Sequence, residues 1–232
     1  MLRNFFITGT DTDVGKTFVT CALIEAFATR GFRAMPMKPI AAGTMNMNGV
    51  VINADVAALR EVSGTRASLA DINPYCFVEP IAPHLAAQHE KVFVDLNVVH
   101  TAFERIKSQG DCVLVEGAGG FLVPLSMRQS MADIPSVLSL DIILVVGMRL
   151  GVLNHALLTV EAIRSRGLIL GGWIANTPTD SQMLAFDENQ ATLEKMIDAP
   201  LLGCIPYDAH STNATEGARR ASSCLRIETL LC

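Results

Sequence analysis

The sequence is poor in charge, and basic residues are in the minority. Charged residues make up 18% of the 232 residues, and 18 lysines and arginines face 23 acids, for a net charge of −5. Because nucleic-acid binding requires a basic surface, this balance argues against nucleic acid as a partner. Half of the residues are hydrophobic, enough for a large core covered on both sides. One domain over residues 1–232 is the simplest interpretation.

The sequence also lacks a hydrophobic run of membrane-spanning length. Its most apolar stretch, residues 142–148, is far shorter than the roughly 20 residues that a membrane helix needs. Residues 1–7 run directly into a strand, without the apolar segment and cleavage site of a secretory signal. We therefore expect a cytoplasmic protein that does not bind membranes.

Cysteine is present but in no functional spacing. The six cysteines form no C-x-x-C pair and match no zinc-binding pattern. Several lie in apolar segments, where a free cysteine behaves as a small buried hydrophobe. The sequence favours a packing role for them.

Short apolar runs alternate with helical periodicity along the chain. The sequence predicts strands at 5–7, 33–39, 111–116, 142–146, 168–175 and 201–205, and helices at 17–30, 54–62, 96–107, 154–165 and 181–197. It predicts a loop at 63–91 and only weak structure after Asn213, with no amphipathic C-terminal helix. Strands without alternation, separated by helices, are typical of an α/β fold with a mostly parallel central sheet and helices on both faces. Ligands of such sheets bind beyond the carboxyl ends of the strands.

A glycine loop joins the first strand to the first helix. The segment Gly-Thr-Asp-Thr-Asp-Val-Gly-Lys-Thr at residues 9–17 predicts a phosphate-binding P-loop, because backbone N–H groups and a helix N-terminus favour an anion. We expect Lys16 to contact the outer phosphates, Thr17 to bind Mg²⁺, and Gly15 to let the backbone approach the phosphates. The motif is a variant of Walker A, since five residues rather than four separate its glycines. A simple strand-to-helix turn is the weaker alternative.

Two acids in this loop, Asp11 and Asp13, are unusual beside a phosphate site because they repel the ligand. They suit a loop that also faces a cationic substrate such as a diamine, or they cap turns and the helix start. Both interpretations stay open for Asp13, whereas the turn role is favoured for Asp11.

This loop and several later segments together resemble the dethiobiotin synthetase family. The P-loop resembles the family's own variant, including the extra residue. The resemblance continues, in family order, at residues 38–43, 53–55, 73–75, 83–84, 115–120, 150–155, 172–176 and 201–206. The combination of the P-loop with Glu-Gly-Ala-Gly-Gly and Gly-x-x-Asn-His makes it specific. It spans nearly the whole chain and fades after about Asp208.

The resemblance implies an Mg-ATP-dependent ligase with a P-loop NTPase-like fold. In the family, CO₂ (or bicarbonate) and 7,8-diaminononanoate give a carbamate, which attacks the γ-phosphate of ATP. The resulting carbamic-phosphoric anhydride is then opened by the second amine, which closes the ureido ring of dethiobiotin. Such chemistry needs cations on the phosphates and little covalent help from the protein. The family also implies a homodimer with the active site at the interface.

The resemblance further implies roles for the residues that match the family's motifs. The catalytic residues would be Lys16, Lys38 and Thr12, with Lys38 holding the carbamate against the γ-phosphate. The metal ligands would be Thr17, Asp55 and Glu116, a hard oxygen set that suits Mg²⁺. The ATP-binding residues would be Asp13, Val14, Gly15, Lys16, Thr17, Phe18, Glu116, Asn176, Pro206, Tyr207 and Asp208. The substrate-binding residues would be Thr12, Lys38, Ala42, Gly119 and, from the partner subunit, Gly151, Val152, Leu153 and Asn154.

Several of these residues have a plainer structural alternative. Asp55 could cap its helix, Asn154 could cap the helix that it opens, and Asn176 could be a turn residue. His84 and His155 are better explained by packing than by catalysis.

The sequence departs from the family at two positions. Ala42 stands where the family has a serine, so a hydroxyl contact to substrate is missing unless Thr44 supplies it. Asp13 stands where glutamate is common.

Three other functions share part of this sequence pattern. A partitioning-type ATPase switch has a signature lysine early in its P-loop, and Asp11, Thr12 and Asp13 occupy those places here. An amidotransferase-type synthase needs a glutaminase domain, for which no room remains after residue 208. The missing hydroxyl at Ala42 keeps a non-catalytic nucleotide-binding scaffold as a third possibility.

Overall fold

Strands and helices alternate along the chain. The computed structural model describes residues 2–47, 49–180, 183–208 and 213–231. In chain order the elements are β1 (Phe5–Gly9), α1 (Lys16–Ala28), β2 (Ala34–Met37), β3 (Ile40–Ala42), β4 (Met45–Met47), β5 (Val50–Ile52), α2 (Ala54–Ser63), α3 (Leu69–Ile72), β6 (Tyr75–Phe77), α4 (Pro83–His89), α5 (Leu96–Lys107), β7 (Cys112–Glu116), α6 (Asp133–Leu138), β8 (Asp141–Gly147), α7 (Val152–Ser165), β9 (Leu170–Asn176), α8 (Phe186–Met196), β10 (Leu201–Ile205), α9 (Ala214–Ser222) and a short 3₁₀ helix, Glu228–Leu230.

A six-stranded sheet forms the centre, in the order β10-β9-β8-β1-β7-β2, with every strand pair parallel. Alternate residues of β1 point to opposite faces: Phe5 packs in the cluster under α1 and α9, whereas Phe6 packs in the cluster under α5. Helices α7 and α8 cover β8 and β9 around the fully buried Trp173. The predicted α/β fold is therefore confirmed. The carboxyl ends of β1, β2 and β7 lie side by side, and the site is built there.

Most predicted elements appear within two or three residues of the expected bounds. Strand β2 ends earlier than expected, at Met37 rather than 39, because the Lys38 N–H donates to the Ile72 carbonyl (2.8 Å) and leaves the central sheet. The predicted helix 181–197 begins on residues outside the described ones, and the described part of it starts at Phe186.

The prediction of a continuous loop at 63–91 is wrong. This region contains α3, β6 and α4. Strand β6 pairs in parallel with β3, and Pro83 occupies the first turn of α4, where a proline costs no hydrogen bond. Three prolines favoured a loop assignment, although one of them marks a helix start.

The weak C-terminal prediction is also wrong. Asn213 caps α9, its side-chain oxygen accepting the Glu216 N–H at 2.8 Å. The pattern Asn-x-x-Glu was the available signal. The helix is amphipathic and buries Ala218 and Ala221 in the cluster that includes α1, so its apolar face is used inside the fold.

The cysteines in the described segments are free thiols. Cys21 and Cys112 are buried, and Cys76, Cys204 and Cys224 are half-buried. Burial, with a smaller contribution from Asp111, raises the pKa of Cys112 to about 12. The packing interpretation is confirmed for Cys21 and Cys112, and Cys232 lies outside the described residues. Among the helices that the structure describes, none has the length and apolarity to cross a bilayer.

Candidate active site

A cavity of about 800 Å³ lies at the carboxyl edge of the central sheet. It lies between the glycine loop after β1, the residues after β2 and β7, and the start of α2. The structure brings together in its lining the following residues that the sequence singled out: Thr12, Asp13, Gly15, Lys16, Thr17, Phe18, Lys38, Ala42, Asp55, Glu116 and Gly119.

Strands β8 and β9 support the glycine loop through hydrogen bonds. The Thr10 N–H donates to the Val145 carbonyl at 3.0 Å. The Asn176 side-chain amide, at the end of β9, donates to the Val14 carbonyl at 2.8 Å. Asn176 is therefore a support of the loop rather than a turn residue. Val14 itself is buried and packs in the core, so only its backbone belongs to the loop surface.

Gly15 is required where the loop enters α1. It is the N-cap of α1, with a φ of +85°, in the left-handed region that favours glycine. A Cβ on Gly15 would also collide with the side chain of Asn176. Gly15, Lys16 and Thr17 at this helix start line the cavity, and the free N–H groups of a helix N-terminus favour a phosphate.

The two acids of the loop have different surroundings. Asp11 accepts the Thr12 N–H at 2.8 Å, which is the expected turn role, and its other oxygen pairs with Arg149. Asp13 lines the cavity with a φ of +56°, and the cap of α1 is Gly15 without a side-chain cap bond. Helix capping by Asp13 is thus wrong, and its carboxylate is available to a cation in the cavity.

Lys16 is buried at the base of the loop. Its Nζ donates to the Asp11 carbonyl at 3.0 Å. Burial lowers the pKa of Lys16, and nearby Lys38 lowers it further, against the opposing effect of Glu116 and Asp55. This ammonium is therefore costly to keep buried without an anion beside it.

Four side chains form a polar cluster in the cavity wall, which we call the lysine–acid cluster: Thr17, Lys38, Asp55 and Glu116. Lys38 Nζ lies 2.5 Å from Glu116 Oε1 and 2.8 Å from Asp55 Oδ2. The Thr17 hydroxyl donates to the same Glu116 Oε1 at 2.6 Å. Glu116 is fully buried at the end of β7, and its Oε2 has no hydrogen-bond partner among the described residues.

The charges of this cluster stabilise one another. Burial alone would lower the pKa of Lys38, but the Glu116 and Asp55 carboxylates outweigh it and the net shift is upward. Burial alone would raise the pKa of Asp55, but Lys38 and the Thr17 hydroxyl hold it below its usual value. These two shifts keep Lys38 a cation and Asp55 a carboxylate at neutral pH.

Asn53 was missed as a site residue, although it explains why Asp55 faces the cluster. Its side-chain oxygen caps α2 by accepting the Asp55 N–H at 3.0 Å, and its amide donates to the Gly43 carbonyl at 2.7 Å. Asn53, not Asp55, is the helix cap, so the capping alternative for Asp55 is wrong. Asn53 also lines the cavity. The Asn-x-Asp spacing at the helix start was the signal.

The wall after β6 was also missed. Pro80, Ile81, Ala82 and Pro83, in the region predicted as loop, line the cavity, as does Val123. Ala42 lines the same cavity, whereas Thr44 is not among its described lining residues.

Two predicted segments lie outside this cavity. Gly151, with a φ of +95°, is the N-cap of α7, so capping by Asn154 is wrong, and Asn154 is exposed. The segment Pro206, Tyr207 and Asp208 follows β10, and Asp208 Oδ2 accepts from Arg220 Nε of α9 at 2.8 Å. His155 is exposed and His84 is half-buried, and neither lines the cavity among its described residues.

Comparison with known proteins places this geometry in a family. A protein-family profile described as an AAA domain matches residues 3–215. An ATP-dependent dethiobiotin synthetase of Aromatoleum aromaticum is 50% identical over 216 residues, covering 93% of this chain and 96% of that protein. The chain belongs to the dethiobiotin synthetase family. A family member from Escherichia coli K12 is 41% identical over 94% of this chain and 96% of its own length.

Solved structures extend the fold beyond the dethiobiotin synthetases. A chain of the MinC:MinD cell division protein complex of Aquifex aeolicus superposes with a TM-score of 0.56 at 15% identity, covering 98% and 94% of the two chains. The Pyrococcus furiosus cell division ATPase MinD gives 0.53 at 16% identity, covering 96% and 98%. At these identities the likeness shows the P-loop NTPase fold alone.

Proposed function

We propose that this chain is an ATP-dependent dethiobiotin synthetase, which joins 7,8-diaminononanoate and CO₂ into the ureido ring of dethiobiotin and converts ATP to ADP and phosphate. One observation carries the proposal beyond ATP binding. A second lysine, Lys38, is buried in the same cavity as the P-loop Lys16. In a partitioning-type ATPase the lysines belong to the P-loop itself, whereas Lys38 follows β2, where it can hold a carbamate anion.

The two lysines have separate tasks in this reaction. Lys16, at the base of the glycine loop, neutralises the outer phosphates as charge develops on them. Lys38 holds the carbamate anion in line with the γ-phosphate, which can lower the barrier by several kcal/mol through positioning. Thr12 lines the cavity between the loop and Gly119, where its hydroxyl can reach the carbamate. Neither lysine needs to lose its proton for these roles.

The residues of the lysine–acid cluster fit Mg²⁺. Among the described residues no group of three His, Cys, Asp or Glu side chains could hold a metal. Mg²⁺ in phosphoryl-transfer sites needs only one or two carboxylates, with phosphate oxygens and water completing the shell. Asp55, Glu116 and the Thr17 hydroxyl offer such a set, and Glu116 Oε2, which has no hydrogen-bond partner among the described residues, is available as a metal ligand. Bound there with ATP, Mg²⁺ would neutralise charge on the β- and γ-phosphates.

The remaining surfaces of the cavity suit the diamine and the nucleotide. Asp13 offers a carboxylate to the substrate's ammonium groups, and the apolar wall around Ile81 and Val123 suits its alkyl chain. Asn176 and the segment after β10, with Pro206 and Tyr207, are proposed to contact the adenine.

A homodimer would complete the site. The N-terminus of α7, at Gly151 to Asn154, is a suitable site for the substrate carboxylate, but it does not line the cavity of its own chain. A second cavity of about 450 Å³ is lined in part by α7, through Leu158, and by Leu122. Leu150 is 95% exposed. A partner subunit on this face would cover the leucines and bring its own α7 N-terminus to the cavity.

Product formation tests the function directly. The purified protein is incubated with 7,8-diaminononanoate, ¹³C-bicarbonate and Mg-ATP, and the product is analysed by mass spectrometry. The proposal predicts labelled dethiobiotin and one ADP for each molecule formed. ATP hydrolysis without product would favour a switch ATPase of the MinD type, and folded protein with neither activity would favour a non-catalytic scaffold.

Mixing two inactive variants tests the shared site. Lys16→Ala removes the lysine that is proposed to bind the phosphates. Asn154→Asp places a negative charge where the substrate carboxylate is proposed to bind. Neither protein alone should form dethiobiotin at an appreciable rate. After joint refolding, half of the dimers are mixed and each contains one intact site, so about one quarter of wild-type activity should return. If activity fails to return although mixed dimers are isolated, the carboxylate is bound within one subunit.

A further inference from the structure

Lys38 already occupies the position that a divalent cation needs. Its ammonium lies 2.5 Å from Glu116 Oε1 and 2.8 Å from Asp55 Oδ2. Among the described residues, three carboxylates line the cavity: these two and that of Asp13. Only 5% of the Lys38 side chain is exposed. The same lysine that is proposed to hold the carbamate is therefore bound to the proposed metal ligands.

The ammonium and a metal ion would compete for these two carboxylates. Mg²⁺ binds carboxylate oxygens at about 2.0–2.1 Å, and two cations on the same pair of oxygens would lie close together in a buried site. Glu116 Oε1 already accepts from both Lys38 and the Thr17 hydroxyl. Removing either cation without replacing it would leave the fully buried Glu116 carboxylate uncompensated, which is costly. A metal ion on Glu116 Oε2 and the second Asp55 oxygen would lie close to the ammonium in this buried site and would be repelled by it, so metal binding displaces Lys38.

We propose that Lys38 competes with the divalent cation for Asp55 and Glu116, so that it excludes free metal ions and yields only to metal bound to ATP. A free Mg²⁺ ion must displace the ammonium unaided. Metal bound to ATP brings phosphate oxygens as further ligands, and the γ-phosphate and carbamate give the displaced ammonium a new anionic partner. The exchange thus couples metal loading to the release of Lys38 for its role in the proposed reaction, on which this inference rests.

Lys16 provides a matched comparison inside the same cavity. Its charge also acts on Glu116 and Asp55, but its Nζ binds the Asp11 carbonyl. Among the described residues, Lys16 has no ion-pair partner. Removing Lys16 changes the net charge of the cavity by the same amount as removing Lys38. Only removal of Lys38 frees the carboxylate oxygens.

Binding of Mn²⁺ alone, with no nucleotide, tests the competition. Free Mn²⁺ is quantified by electron paramagnetic resonance while wild type, Lys38→Met and Lys16→Met are titrated. We expect Lys38→Met to bind one Mn²⁺ at least about tenfold more tightly than wild type, because its two carboxylates lack a competing cation. Lys16→Met should show a clearly smaller gain, and Lys38→Met combined with Asp55→Asn should lose the tight site.

The competition is contradicted if Lys38→Met binds Mn²⁺ no more tightly than Lys16→Met does. If Lys38→Met does not fold without metal, Lys38→Gln, which retains a hydrogen-bond donor, is titrated in the same way. Restoration of the Lys38→Met fold by Mn²⁺, but not by an equal ionic strength of NaCl, would support the proposal as well. Because this readout involves neither ATP nor dethiobiotin, it can fail while the proposed function holds, and the reverse is equally possible.

Discussion

Replacing Lys16 by methionine should lower the rate of dethiobiotin formation by about 10²–10³-fold, the usual cost of removing one preorganised charge from a transition state. Lys16 lies at the helix entry of the glycine loop, buried, with its Nζ on the Asp11 carbonyl. Burial lowers the pKa of Lys16, because the buried site disfavours the charged ammonium. A phosphate bound beside Lys16 would stabilise that charge. Methionine fills a similar volume without that charge. The measurement is kcat/KM for ATP, with product followed by mass spectrometry.

A surface lysine serves as the control for this substitution. Lys107 on α5 is half-exposed, pairs with Glu104 at 3.3 Å and lies over the Phe103 ring, far from the cavity lining, so Lys107→Met should leave the rate within about twofold of wild type. Circular dichroism must show that both variants keep the wild-type fold. Should Lys16→Met retain more than a tenth of the wild-type rate, the phosphates are bound by some other cation and the P-loop assignment of Lys16 is wrong.

Replacing Glu116 by glutamine should lower the free energy of unfolding by about 2–4 kcal/mol, because it breaks a buried ion pair on one side only. Lys38 would keep Asp55, which is partly exposed, but would lose the negative charge of its closer partner, 2.5 Å away. The Thr17 hydroxyl would keep an acceptor in the glutamine carbonyl. Urea unfolding at neutral pH measures the change.

A double-variant cycle separates the ion pair from other effects of the glutamine. Lys38→Met combined with Glu116→Gln removes both charges, so its loss of stability should be smaller than the sum of the two single losses by about 1–3 kcal/mol. Glu104→Gln on α5, which breaks an exposed ion pair, is the matched control and should change stability by less than about 0.5 kcal/mol. Additive losses would mean that Lys38 and Glu116 do not stabilise each other.

The sequence located the phosphate-binding part of the site because that part is local. Residues 9–17 form a continuous motif in which glycine, lysine and threonine have fixed positions relative to one strand and one helix. Lys38 and Glu116 could be brought to the same edge because Lys38 follows β2 and Glu116 ends β7, and both strands are buried and parallel. The choice of dethiobiotin as product came from the resemblance, since the strand ends alone are compatible with many ATPases.

The missed parts of the site depend on contacts between distant segments. The wall at Pro80 to Pro83 follows a strand of three residues, too short for any periodicity. The ion pair between Asp11 and Arg149 joins residues 138 positions apart, and nothing at either position in the sequence indicates the other. Helix α9 had a cap signal at Asn213, but its small apolar residues gave too weak a hydrophobic pattern to be recognised.

The central claim is that a carbamate oxygen attacks the γ-phosphate in this cavity. Bicarbonate labelled with ¹⁸O is given to the enzyme, diamine and Mg-ATP in ordinary water, and the reaction is stopped within one turnover, before the label exchanges with solvent. We expect one ¹⁸O atom in the phosphate released with each dethiobiotin, because the carbamate oxygen that attacks phosphorus leaves as part of the phosphate. Phosphate without ¹⁸O, formed alongside dethiobiotin, would show that water attacks ATP and would contradict the account.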